Sequence, residues 1–192
     1  MAKGTKTTLQ IEQGSTIGRL KLFHYSVLPD RQKKIIDKYP YLYRVPGQHC
    51  SNPDQPKKPV TKDYCNLRSG FECGPGWQGL IEQLSSIADG LVTKLKASGL
   101  QHDASIKPEV VKQKVGELRW QGRHNLCPPF DTLWHAYINQ IAWESTHTCE
   151  MSGEPGKIRS VEGLVICLSD KEYLEWKANP QRQQLRYWSL ED

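Results

Sequence analysis

The feature of this chain that most constrains its fold is an apolar stripe behind a glycine-proline-glycine bend. After Gly74-Pro75-Gly76, the residues Trp77, Leu80, Ile81, Leu84, Ile87, Ala88, Leu91 and Leu95 recur at steps of three and four. At about 3.6 residues per turn this spacing gathers them on one side of a helix of roughly five turns. One greasy side must be covered, so the stripe demands a core. Gly99 follows as a candidate helix stop, a place that favours a left-handed residue. A second stripe opens behind Pro128-Pro129, where Phe130, Leu133, Trp134, Tyr137, Ile138 and Ile141 repeat the rhythm. The two helices are expected to face each other or to share a sheet.

Shorter elements fill the remainder. RQKKIIDKYPYLYR, from Arg31, reads as a helix stopped near Pro40, because the residue before proline is pushed out of the helical region. Residues 46–65 carry Pro46, Pro53, Pro56 and Pro59 and read as a long loop. In EVVKQKVGELRW, the residues Val111, Val115, Leu118 and Trp120 suit a strand kinked at Gly116. Gly153, Pro155 and Gly156 supply turn chemistry to a hairpin that contains the strand Leu164-Val165-Ile166-Cys167. Asp170 is expected to cap a last short helix ended by Pro180. The fold class is therefore α+β, with two long amphipathic helices packed on a small sheet and a C-terminal hairpin and short helix behind them.

A chain of 192 residues fits one domain with tails. The expected division is a basic leader over 1–28, one globular unit over 29–178 and a tail over 179–192. Six Trp and eight Tyr supply core material, which argues against wholesale disorder. The net charge of +5 is unevenly placed: residues 1–35 hold seven bases against two acids, and the rest is balanced. The folded body is thus not marked as a phosphate-binding surface, since each phosphate contact needs a clustered base. Lys33 and Lys34 close the basic stretch and are candidate binding residues. No apolar run reaches the roughly 18–20 residues of a membrane span, and MAKGTKTTLQIEQGST lacks a signal-peptide core. A soluble, cytoplasmic protein without membrane contact is expected.

Six cysteines in such a protein are read as thiols or metal ligands rather than disulfides. Cys50, Cys65 and Cys73 form no C-x-x-C pair, and Cys127 precedes the double proline as a packing residue. Cys149 and Cys167 are different. Zinc ribbons place two ligands on each of two tight turns so that four donors reach a tetrahedron. Here Cys149-Glu150-Met151-Ser152 and Cys167-Leu168-Ser169-Asp170 keep the spacing, with Ser152 and Asp170 where further ligands belong. The candidate ligands are Cys149, Cys167, His147 and Asp170. A metal-free hairpin is the leading expectation and a zinc site the alternative.

Enzyme readings find less support. His147 and Cys149 are two apart, a spacing that separates nucleophile and base on a helix. His102-Asp103 lacks a nucleophile motif and reads as a solvated turn. There is no G-x-x-x-x-G-K-[ST] loop, and Pro75 interrupts the glycine bend where an anion would want a backbone donor. Glu72, Glu82, Glu109 and Glu117 have no fixed separation that would define paired carboxylates. Binding suits the chain better. Arg182, Arg186, Tyr187 and Trp188 in the tail combine guanidinium and ring faces typical of interface anchors, against the alternative that Leu185 and Trp188 fold the tail back on the body.

Taken in order, KYPYLYR (Lys38 to Arg44), GFECGPGWQGLIEQL, VVKQKVGELRW, the helix ending IAWEST, and CEMSGEPG followed by VICLSD resemble a family of small uncharacterised proteins common in bacteriophages and prophages. That family is similar in its CGxGW helix start, its VKxKxGxLR strand and its CExCGxPG with a later CDxH. The resemblance covers residues 33–176. At Ser152 and Asp170 the chain departs from the pattern, so Cys149 and Cys167 alone carry over as ligands of a degenerate zinc-ribbon-like hairpin. The resemblance implies a phage or mobile-element product acting inside a bacterium. The expected function is stoichiometric binding to a bacterial host protein, as in an anti-CRISPR or other anti-defence inhibitor. A nucleic-acid-binding accessory module is the alternative, with the leader on phosphate and rings stacked on unpaired bases. A zinc hydrolase or deaminase is the third reading.

Overall fold

The computed structural model describes residues 28–43, 67 and 70–179, together with the backbone of 23–24 and 64–65. The basic leader up to residue 22, Cys50 in the proline-rich loop, and Arg182, Arg186, Tyr187 and Trp188 lie outside the described residues. In chain order the elements are β1 (Phe23–His24), α1 (Asp30–Lys38), α2 (Pro40–Tyr43), β2 (Tyr64–Cys65) and β3 (Phe71–Glu72). A 3-10 turn (Pro75–Trp77) leads into α3 (Gln78–Ala97), then β4 (Ile106–Lys114), β5 (Glu117–His124) and α4 (Phe130–Ser145). β6 (Lys157–Val161), β7 (Leu164–Leu168) and α5 (Asp170–Ala178) complete the fold. It is α+β, and among the described residues no helix is long and apolar enough to cross a membrane.

The main core forms where α3 and α4 cover the three-stranded sheet β3-β4-β5. From the first stripe, Trp77, Ile81, Leu84, Ala88 and Leu95 are buried; from the second, Trp134 and Ile141. Both stripes enter one cluster with Tyr43, Phe71, Val111, Leu118 and Trp120. Trp120 and Trp134 meet edge to face at 6.1 Å between centroids, an orientation that the ring quadrupoles favour. β3 runs parallel to β4, with Phe71 opposite Val111, so α3 serves as the crossover that parallel strands require. The outer edge of β3 is finished by a side chain. The Gln32 amide donates to Phe71 O (3.0 Å) and accepts from Phe71 N (2.8 Å), as a neighbouring strand would.

The expected kinked strand is two strands. β4 and β5 pair antiparallel with Lys114 opposite Glu117, and the reversal is made by Val115 (φ 55°) and Gly116 (φ 77°). Two successive left-handed residues make the turn whose twist suits a hairpin. Val115 sits at the tip and is 62% exposed rather than packed. Glu162 (φ 49°) and Gly163 (φ 80°) close the β6-β7 hairpin in the same way. Gly153, Pro155 and Gly156 belong instead to a separate turn ahead of it. The last helix is capped by Ser169, whose Oγ accepts from Glu172 N at 3.2 Å, and Asp170 is its first helical residue. Gly99 has φ 72°, and its N–H reaches Lys96 O just past the end of α3.

A second, smaller cluster joins Cys149, Val161, Ile166, Leu168 and Trp176 between the β6-β7 hairpin and α5. β7 divides its side chains by the period of two that a strand imposes. Cys167 enters the main core, while Ile166 and Leu168 enter the smaller one.

Candidate functional site

The motifs GPGW and CEMSGEPG, more than 70 residues apart, meet in one junction. The N–H of Gly74 donates to the Glu150 carboxylate (2.9 Å), Gly76 N donates to Glu150 O (2.8 Å), and the Trp77 indole donates to Thr148 O (2.7 Å). Glu150 N in turn donates to Cys167 O (2.9 Å), which ties the junction to β7. Glu150 has no exposed surface, and the Gly74 amide supplies one of its carboxylate oxygens with the hydrogen bond that a buried polar group needs. The glycines are required by proximity. A Cβ on Gly76 would lie 2.3 Å from Cys149 O and from Gly153 N, and one on Gly74 would lie 2.4 Å from Glu150 O. Glu150 stands in the CExCGxPG pattern, but its burial and its partners, distant in the chain, leave no local signal.

The turn after Cys149, expected from its spacing as a knuckle, is closed by backbone hydrogen bonds. Gly153 N donates to Cys149 O (2.9 Å), Cys149 N to Glu154 O (2.7 Å) and Gly156 N to His147 O (2.8 Å). Cys149 and Cys167 are both fully buried and crowd Gly156, where a Cβ would lie 2.8 Å from Cys149 N and 3.0 Å from Cys167 Sγ. Burial, then the neighbouring Cys149 and Glu150, push the Cys167 thiol up to about 12, against a smaller opposing pull from Arg159. Its Sγ donates to Thr146 O at 3.2 Å. Ser152 is exposed.

The other two candidate ligands do not join them. His147 leans on Trp143 with ring centroids 4.4 Å apart, its Nδ1 within 2.9 Å of Thr146 Oγ1 and 3.1 Å of Trp143 O. Asp170 faces away on the surface, paired with Arg159 and, at 3.3 Å, with Lys157. The hydrogen bonds from Arg159 and Lys157 hold the Asp170 carboxyl below the usual carboxylate range. Among the described residues no three His, Cys, Asp or Glu side chains gather as a metal-holding group. Cys149 and Cys167 are neighbours, while His147 and Asp170, either of which was expected to complete a three-ligand site, are drawn to an indole and to two cations.

Other candidates are similarly engaged. Asp103 accepts from the Asn125 amide (3.2 Å), which stitches the loop after α3 to the end of β5. Glu82 pairs with Lys38 (2.5 Å), Glu109 with Arg123 (2.5 Å) and Glu117 with Arg119 (2.8 Å). Lys33 pairs with Asp30 at 2.9 Å, and Lys34 is exposed on α1.

An apolar groove with a volume of about 600 Å³ opens between α3 and α4 on the outer side of the main core. Its walls include Ile87, Leu91, Leu100, Phe130, Leu133 and Tyr137, and Lys94 stands beside them. Leu100 is 66% exposed and Leu133 42%. Gly90 also lines the groove, where a Cβ would meet nothing within 4 Å. The apolar stripes of both helices are wider than the core they cover, and this surplus makes the groove. Comparison with protein-family models, curated proteins and solved structures finds no match to this chain.

Proposed function

We propose that the protein acts by binding another protein, a component of a bacterial host, and works stoichiometrically by occupying its surface. The observation that carries this reading is the groove between α3 and α4. At about 600 Å³ it is within the range of about 300–1,000 Å³ found for binding clefts. Its apolar lining, drawn from two helices, suits the apolar face of an amphipathic helix, which is read by residues at helical spacing. The motif order that resembles phage and prophage proteins supplies the setting, an anti-defence inhibitor aimed at a CRISPR or abortive-infection effector.

The test is affinity capture from bacterial lysate with the wild-type protein and with Gly90→Arg, which fills the groove from a position with open space around it. A partner retained at high salt by wild type and lost by Gly90→Arg, with a melting temperature no lower than that of wild type, is the expected result. Capture of nucleic acid that falls away steeply with salt supports the nucleic-acid module instead. An identical set of captured proteins for both variants overturns the groove as the binding surface.

A further inference from the structure

His124 and His135 come from different elements and meet outside the junction described above. Their Nε2 atoms are 3.4 Å apart, with ring centroids 5.2 Å apart and planes at 71°. Protein hydrogen bonds donated by N–H mostly run to about 2.7–3.2 Å, so a direct bond across this gap is weak. The separation fits another arrangement. Two imidazole nitrogens each about 2.0–2.1 Å from one tetrahedral metal ion lie roughly 3.3 Å apart.

We propose that His124 and His135 form a two-histidine site for a borderline divalent cation, zinc or nickel, with water in the remaining coordination positions. Imidazole selects this class over magnesium and calcium, which prefer oxygen donors. The elements that present the rings are fixed by the residues beside them. His124 ends β5 opposite Ile106, and the fully packed Trp134 precedes His135 and meets Trp120 of β5. The ligands are thereby preorganised, which reduces the ordering that metal binding must supply. His124 Nδ1 is buried with no hydrogen-bond partner, so freeing the Nε2 lone pair breaks no bond at the other nitrogen. A missing second-shell acceptor at a metal-bound histidine lowers affinity by about 10–100-fold. Asp131, one turn before His135, is already bonded to Thr132 N at 2.6 Å and is not counted as a ligand.

The experiment is calorimetric titration of the full chain with zinc chloride and with nickel chloride, alongside thermal melting, with magnesium chloride as the control. One equivalent of zinc or nickel should bind and raise Tm, and magnesium should do neither. His135→Ala and His124→Gln should each weaken binding by about tenfold or more, while His102→Ala leaves it unchanged. Because His135 is exposed, its variant keeps the apo melting curve. No saturable binding by wild type overturns the proposal. So does binding that survives His135→Ala and disappears in Cys149→Ser, which would place the metal at the knuckle.

Discussion

Replacing Gly76 by alanine tests the junction between the glycine bend and the knuckle. The new Cβ would sit 2.3 Å from Cys149 O and Gly153 N and 2.8 Å from Glu150 O. All three are backbone atoms of a turn closed on itself by Gly153 N to Cys149 O and Cys149 N to Glu154 O. They have no flexible end to swing aside, so the two segments must separate by about 1 Å to restore van der Waals contact. That shift takes three hydrogen bonds out of range: Gly74 N to Glu150 Oε1, Gly76 N to Glu150 O, and Trp77 Nε1 to Thr148 O. The two neutral bonds contribute about 0.5–1.5 kcal/mol each and the carboxylate bond about 1.5–3 kcal/mol. Alanine recovers about 0.4–1 kcal/mol by stiffening the unfolded chain. The net loss is about 2–5 kcal/mol, a large part of the roughly 5–15 kcal/mol that holds a domain together. Urea unfolding followed by tryptophan fluorescence and far-UV circular dichroism reads this as a lowered midpoint at constant slope. Gly79→Ala is the matched control. It lies in α3 with nothing within 4 Å of its Cβ position and should gain about 0.5–1 kcal/mol. If Gly76→Ala unfolds at the wild-type midpoint while Gly79→Ala gains stability, the close approach does not exist.

Two further substitutions probe the cores. Ser145 Oγ accepts from Leu118 N (2.8 Å) and donates to Ala142 O (2.6 Å) in a fully buried position. Ser145→Ala leaves the Leu118 amide unsatisfied and should cost about 1–3 kcal/mol in the same urea assay; a neutral result would mean that α4 is not anchored to β5 there. The raised Cys167 thiol predicts an alkaline loss of stability. The unfolded thiol ionises near its ordinary 9.0 while the folded one holds its proton to about 12. The unfolded state therefore binds fewer protons in that window, and stability falls as pH rises through it. Urea midpoints compared at about pH 8 and about pH 10.5 should fall less for Cys167→Ala than for wild type; equal slopes would refute the buried thiol.

What the sequence made legible was periodic. The stripes of α3 and α4 were readable because burial repeats every three or four residues, and Gly99 because a left-handed stop leaves a glycine. The β4-β5 reversal was hidden, since Val115-Gly116 lacks the Asn-Gly or Asp-Gly signature of a tight hairpin, and the spaced apolar residues Val111, Val115, Leu118 and Trp120 read as one bent strand. At the end of β7, Ser169 and Asp170 both have capping side chains. The choice fell to Ser169 because Arg159 and Lys157 on β6 draw the Asp170 carboxylate outward. Cys149 and Cys167 were found by their spacing. Glu150 and the His124-His135 pair were not, because their partners are set by tertiary packing and leave no local pattern.

The glycine bend also has a consequence for the order in which the chain can mature. The indole N–H of Trp77 finds its acceptor 71 residues later, and the Gly74 amide finds its own 76 residues later. At a synthesis rate of about 5–20 residues per second, those donors wait roughly 4–15 seconds for the ribosome to supply their acceptors. During that interval the first long helix exists without the seat for its leading side chain, a state that invites chaperones and proteases. Truncation ahead of the knuckle would make the interval permanent, so the C-terminal hairpin is a late keystone for a core that precedes it in the chain.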